Sequence, residues 1–161
     1  RLPGGGGRDP VRVIVDSQAR TPLKARVLTQ PSGAATLIAT TAGASPARVE
    51  LLRQAGAKVL VAGAGPRVDL AGLLKILVQE GITSVLIEGG AAIHGSALAE
   101  RIVDKAAWFI APIIIGGRDA PGAVGGEGVN DPSEAAELER LKISRLGPDI
   151  CVEGYLKYRG G

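Results

Sequence analysis

The stretch Ser84-Val85-Leu86-Ile87-Glu88-Gly89-Gly90-Ala91-Ala92-Ile93-His94-Gly95-Ser96-Ala97-Leu98 carries the reading of the whole chain. Val85 to Ile87 reads as a buried strand that runs into a glycine turn and out into a helix. The Glu88 carboxylate sits where the strand stops. Paired glycines permit positive φ and close approach to the backbone, and the free N–H groups of a following helix make an anion site. In α/β proteins, ligands gather at the carboxyl ends of strands. This is the layout of a nucleotide pocket.

Working outward, residues 1–9 read as a flexible, Gly-rich lead and residues 10–161 as a single domain. Val11–Val15 (VRVIV) is a β-branched strand ended by Asp16-Ser17, and Ala35–Thr40 (ATLIAT) a second strand. Ser45-Pro46 opens a helix, a hydroxyl cap followed by proline at the first helical position, and Gly56 stops it. Lys58–Ala62 is a third strand. Asp69 caps a helix with Leu70, Leu73, Leu74, Leu77 and Val78 on one face, closed by Gly81. Thr83–Ile87 is a fourth strand, Ser96–Ile102 belongs to the helix after the glycine turn, and Ala106–Ile115 is a fifth, apolar strand. A glycine-rich loop over residues 116–132 leads to a hairpin, Lys142–Leu146 and Ile150–Leu156. Strands alternating with helices predict an α/β fold, a mostly parallel sheet flanked by helices, with a C-terminal antiparallel hairpin.

Composition narrows the function classes. The 161 residues carry a net charge of +3 with the basic residues scattered, and aromatics make up 2%. No basic stripe interleaved with aromatics is present, so nucleic-acid binding has little support. No apolar run reaches the roughly 18–20 residues that span a membrane, and no apolar h-region follows Arg1 to make a signal peptide. The single cysteine, Cys151, excludes an internal disulfide framework, suits a reducing cytoplasm and reads as a core thiol. One Cys and one His cannot build a metal site of the usual kind, and no catalytic triad can be assembled.

The glycine turn departs from both standard phosphate loops. Gly90 to Gly95 has the first spacing of a P-loop, but Ser96 stands where lysine is required, which argues against kinase or ATPase chemistry. The G-x-G-x-x-G fingerprint is not met either. Spacing alone leaves a generic phosphate-binding turn and a tight strand-to-helix connection both open. Glu88 is either a helix N-terminal neighbour favoured by the macrodipole or a carboxylate at a pocket mouth, accepting from a polar heterocycle or sugar. His94, the only histidine, reads as a packed or capping residue before it reads as a catalyst. Asp16-Ser17 is an Asx-type turn or part of the pocket edge; Thr40-Thr41 is a simple hydroxyl turn or a contact to a ribose phosphate.

The ordered segments Pro10-Val11-Arg12-Val13-Ile14-Val15-Asp16-Ser17, Arg20 and Pro22, Leu86-Ile87-Glu88-Gly89-Gly90, Val103-Asp104-Lys105, Ala111-Pro112, Gly116-Gly117 and Gly147-Pro148-Asp149-Ile150 carry a family likeness. The chain resembles the reductase domain of the bifunctional riboflavin-biosynthesis deaminase/reductase, which has a dihydrofolate-reductase-like fold. The resemblance runs from Pro10 to the final hairpin, and its specificity lies in the combination and order of the segments.

That resemblance implies NADPH-dependent reduction of 5-amino-6-(5-phosphoribosylamino)uracil to the ribitylamino compound. It implies that Glu88 contacts substrate, that Gly89, Gly90, Ala91, Ala92, Ile93, His94, Gly95 and Ser96 line the NADPH phosphates, and that Ser17 approaches the dinucleotide. Thr40 and Thr41 are expected on the 2′-phosphate side; the catalytic residue is left open and no metal is expected. A homodimer is expected through the Phe109–Ile115 strand and the hairpin, with a zinc deaminase domain upstream in a full-length protein. The family's domain opens with a strand, a helix and a run ending in arginine; Arg1 is expected to be that arginine, making this an N-terminally truncated domain. The rival readings are another dihydrofolate-reductase-like pterin or pyrimidine reductase, and a non-catalytic nucleotide-binding or oligomerisation fragment.

Overall fold

The computed structural model describes residue 7 and residues 9–158. The expected lead over residues 1–9 therefore lies almost wholly outside the described residues. The chain falls into two compact units that divide between Ser84 and Val85, and each is described by itself.

In the first unit, β1 (Arg12–Val15), β2 (Thr36–Thr40) and β3 (Lys58–Val61) form a parallel sheet in the order β1-β2-β3. Ile14 lies opposite Ile38, and Ile38 opposite Val59. Every residue of β2 is buried, because a central parallel strand has no solvent face and alternation cannot show in it. Its two threonines bond their hydroxyls locally: Thr36 Oγ1 donates to Val27 O at 3.0 Å and Thr40 Oγ1 to Leu60 O at 3.4 Å. A short turn of helix, α1 (Arg26–Thr29), precedes β2.

Helix α2 (Pro46–Gln54) buries Val49 and Leu52 in a core with Ala19, Ile38, Ala44 and Ala57. Burying a leucine side chain such as Leu52 fully contributes roughly 2 kcal/mol. Helix α3 (Leu70–Gln79) buries Leu70, Leu73 and Leu77, and its cap is Asp69, which accepts from Gly72 N–H. Both helices end alike. Gly56 (φ 91°) donates to Arg53 O while Ala57 N–H reaches back to Leu52 O. Gly81 (φ 79°) and Ile82 repeat this with Val78 O and Leu77 O. These are Schellman closures, which need a left-handed residue just past the helix.

In the second unit, helix α4 (Ala91–Ala99) leads to an antiparallel sheet of β4 (Lys105–Ile110), β5 (Glu137–Leu146) and β6 (Asp149–Lys157), in the order β4-β6-β5. Gly147, at φ 64°, and Pro148 form the two-residue hairpin turn between paired Leu146 and Asp149; glycine at the first central position is what such a turn asks for. The β5–β6 register slips between Glu139 and Lys142, where Arg140 takes φ 51° and lays its guanidinium 4.2 Å from the Tyr155 ring centroid. Tyr158 Oη donates to Val103 O at 3.1 Å and accepts from Val103 N–H at 3.3 Å, fastening the residue after β6 to the segment before β4. Burial pushes the Tyr158 phenol above its ordinary range despite its bond to Val103. Helix α4 also closes with a Schellman pair, Arg101 to Leu98 O and Ile102 to Ala97 O, but here the left-handed residue is Arg101 at φ 54°.

Four expectations are corrected. Residues 83–87 make no strand ladder among the described residues, and Val85 and Leu86 are exposed. A strand needs a partner as well as an apolar run, and pattern alone does not supply one. The fifth strand ends at Ile110, leaving Ile113, Ile114 and Ile115 exposed and unpaired among the described residues. Helix α4 spans Ala91–Ala99, so of the expected helical stretch Ser96–Ile102 only Ser96 to Ala99 is helical, and the helix ends three residues early. Neither Gly89 nor Gly90 has positive φ; their value is the missing side chain, not a left-handed backbone.

Candidate functional site

Two groups of residues singled out from the sequence lie in different units. In the first unit, Asp16 and Ser17 leave the carboxyl end of β1, and Thr40-Thr41 leave that of β2. The structure brings Ser17 and Thr41 together: Thr41 donates to Ser17 O from both N–H (3.2 Å) and Oγ1 (3.1 Å). Ser17 Oγ accepts from Val68 N–H at 3.3 Å. Its oxygen is thus engaged from the protein side, and its proton remains to be donated. Thr41 is 4% exposed and Thr40 is fully buried, so both hydroxyls are committed to carbonyls of the fold.

Asp16 builds the loop that carries Ser17. It is 9% exposed, and its Oδ2 accepts from both Thr21 N–H and Thr21 Oγ1–H at 2.6 Å. Burial pushes its carboxyl up, but bonds from the Thr21 side chain and the backbone of Arg20, Thr21 and Gln18 outweigh this, so the net shift is downward. Arg20 Nε stands 3.9 Å from Asp16 Oδ1, largely in solvent. Arg48, on α2, closes the other side of the loop: Nε donates to Ala19 O at 3.1 Å and an Nη to Thr21 O at 2.9 Å. Ala19 is fully buried at φ 56°, a backbone costing an L-residue roughly 1–2 kcal/mol. The carboxylate on one side and the guanidinium on the other hold it there. No local pattern marked Arg48, because its partners lie 27 and 29 residues away.

In the second unit, Glu88 is exposed and makes no hydrogen bond or ion pair with the described residues. Gly90 occupies the N-cap position of α4 and contributes no side-chain cap. The first N–H groups of α4, those of Ala91 and Ala92, therefore have no acceptor within the helix. Ile93 N–H bonds back to Gly90 O at 2.9 Å. His94 is half-buried; its Nδ1 lies 2.8 Å from Ala123 O and its Nε2 3.3 Å from Ile87 O. Gly95 is buried, with the Gly125 carbonyl seated where a Cβ would stand. Gly125 N–H in turn donates to Ala91 O at 2.8 Å. Sequence reading missed this glycine loop as a neighbour of the turn; its only mark was composition.

Cys151 is buried on β6 as a free thiol, in keeping with the core reading. Among the described residues no group of His, Cys, Asp and Glu could hold a metal, and no helix is long and apolar enough to cross a membrane.

Comparison with known proteins follows the same lines. A family model described as "RibD C-terminal domain" matches residues 1–152. The chain is 43% identical over 157 residues to the Methanothermobacter thermautotrophicus protein named 2,5-diamino-6-ribosylamino-4(3H)-pyrimidinone 5′-phosphate reductase, covering 98% of this chain and 71% of that one. It is 38% identical over 143 residues to the riboflavin biosynthesis protein RibD of Bacillus amyloliquefaciens, covering 89% of this chain but 38% of the relative. Among solved structures, Acinetobacter baumannii RibD superposes with a TM-score of 0.71 at 26% identity, covering 92% of this chain and 38% of that one. The fold is thus the dihydrofolate-reductase-like α/β fold expected from the ordered segments. Family model, relatives and fold agree, and the chain belongs to the RibD C-terminal domain family.

Proposed function

We propose that the chain is a reductase of riboflavin biosynthesis that uses NADPH to convert the ribosylamino group of a phosphoribosylamino-pyrimidine to ribitylamino. The family match over residues 1–152 carries this reading. The proposed substrate is 5-amino-6-(5-phosphoribosylamino)uracil. The 43% identity to the Methanothermobacter thermautotrophicus reductase favours a second, its 2,5-diamino-pyrimidinone counterpart. The two differ at one exocyclic position of the ring.

The residues present fit a dinucleotide. Gly89 and Gly90 leave room against the backbone, and the uncapped first turn of α4 offers the Ala91 and Ala92 N–H groups to phosphate oxygens. On this reading Ile93, His94, Gly95 and Ser96 line the same turn. In the first unit, Ser17 keeps a proton to donate at its own sheet edge, while Thr41 holds the Ser17 carbonyl. Thr40, buried and bonded to Leu60 O, supports that edge from below. Glu88, free and exposed, accepts from the pyrimidine. When bound, NADPH supplies a hydride to an imine-like C1 of the opened ribosylamine. The nitrogen takes the proton that completes the amine from solvent, so the chain need supply no general acid.

Homodimerisation is proposed through β4 and the segment after it, supported by the exposed Phe109, Ile113, Ile114 and Ile115. An upstream deaminase domain is proposed for a longer protein, since the Bacillus amyloliquefaciens relative is more than twice as long as its matched part. A cytoplasmic location is proposed with them. NADPH should raise the melting temperature more than NADH does. No shift with either would overturn the cofactor reading, and turnover of dihydrofolate but of neither pyrimidine would favour the rival pterin reductase.

A further inference from the structure

The glycine-rich loop beyond β4 has little to hold it. Residues 116–124 and 126–134 are mostly exposed, and none lies in a strand. Yet at one point it is tied down three times within a few residues, always against the start of α4. Gly125 N–H donates to Ala91 O at 2.8 Å. The Gly125 carbonyl fills the space beside Gly95 that any side chain there would need. The His94 ring stands between two carbonyls, Ala123 O at 2.8 Å on Nδ1 and Ile87 O at 3.3 Å on Nε2.

The ring chemistry ranks these contacts. A carbonyl only accepts, and a neutral imidazole has one N–H, so it serves one carbonyl at a time. Ala123 O, at 2.8 Å, makes the closer contact, and with the proton on Nδ1 the ring donates to it. Nε2 stands 3.3 Å from Ile87 O, in the segment that leads to Glu88. The imidazole is a spacer between that segment and the loop, joined to the loop by a hydrogen bond.

We propose that His94 is a positioning residue, latching residues 122–126 onto the first turn of α4 so that this loop forms a wall of the phosphate-binding turn. The choice of NADPH phosphates as the ligand rests on the function proposed above; the latch itself does not. His94 and Gly95 act as a pair in this role. Glycine admits the loop backbone to the helix surface, and the neighbouring imidazole secures it. The role also explains why the histidine need not touch substrate.

The experiment compares the wild-type chain with His94→Ala and His94→Asn, the amide of asparagine standing close to where Nδ1 stands. Glu127 lies two residues beyond Gly125 and is a cleavage site for a glutamate-specific protease. Without cofactor, His94→Ala should be cut at Glu127 at least about fivefold faster, and His94→Asn near the wild-type rate. Cutting at Glu134, outside the latch, should change little. The NADPH dissociation constant should rise about tenfold in His94→Ala, roughly one lost hydrogen bond, and return most of the way in His94→Asn. Equal cleavage at Glu127 in all three proteins overturns the latch. A loosened loop with unchanged NADPH affinity overturns its role as a wall of the site. Failure of the wild type to bind NADPH removes the cofactor reading and leaves the cleavage test of the latch standing.

Discussion

Replacing Asp16 by asparagine should destabilise the first unit at neutral pH and leave it little changed in acid. The carboxylate is almost out of solvent, and one of its oxygens takes two hydrogen bonds of 2.6 Å from Thr21. Backbone groups of Gln18 and Arg20 also donate to it. An amide keeps one accepting oxygen and turns a second donor toward this ring of donors. Hydrogen bonds to a charged group contribute about 1.5–3 kcal/mol each, so losing one and weakening the rest should cost roughly 2–3 kcal/mol. For a chain of this length that lowers the melting temperature by roughly 5–10 °C. The pH dependence has a definite sign. Asp16 is held below its ordinary value of 3.8, so its contribution is complete above that value and fades as pH falls through the lowered one. Urea melts of both proteins at pH 7 and at about pH 2.5 should therefore show a gap that closes in acid. A gap of the same size at both pH values, or none at pH 7, would refute the argument that the ionised carboxylate organises the loop.

Two further substitutions test other parts of the fold and site. Arg101→Gly should stabilise the second unit by up to about 1 kcal/mol: it relieves a left-handed backbone costing roughly 1–2 kcal/mol against the unfolded-state freedom glycine adds. Thermal melts would read this, and a destabilised variant would mean the arginine side chain contributes more than its backbone costs. Glu88→Gln should raise KM for the pyrimidine about tenfold or more with a smaller change in kcat, as expected for loss of one charge-assisted bond. An unchanged KM would remove Glu88 from the substrate site.

The parts of the fold visible in advance are those whose cause is local. The apolar β-branched runs of β1 to β3 locate three strands within a residue or so, most plainly in β2, where burial on both faces writes itself into composition. Gly56 and Gly81 mark two helix ends, since each must supply a left-handed residue. Arg101 fills the same role without the same signal, so the third helix end was unreadable. Residues 83–87 mislead for the opposite reason: an apolar run states a need for burial and not a pairing partner. The candidate site divides likewise. The turn from Glu88 to Ser96 was legible because glycines and a helix start are adjacent in sequence. Arg48 on the Ala19 carbonyl, and the seat of Gly125 against Gly95, were not, because each joins residues about 30 apart.

The slipped register in β5 gives the antiparallel sheet two unlike borders. On the β5 side, the break between Glu139 and Lys142 interrupts the repeat of outward N–H and carbonyl groups, and Glu137, Arg140, Lys142 and Arg145 crowd it with charge. An incoming strand meets an irregular, charged margin there. On the β4 side the ladder is unbroken over Lys105–Ile110, and Phe109 and Ile110 are exposed. Such a margin is open to strand addition. Of the two borders, the β4 side is thus the more regular template for an added strand, and the β5 side the worse one.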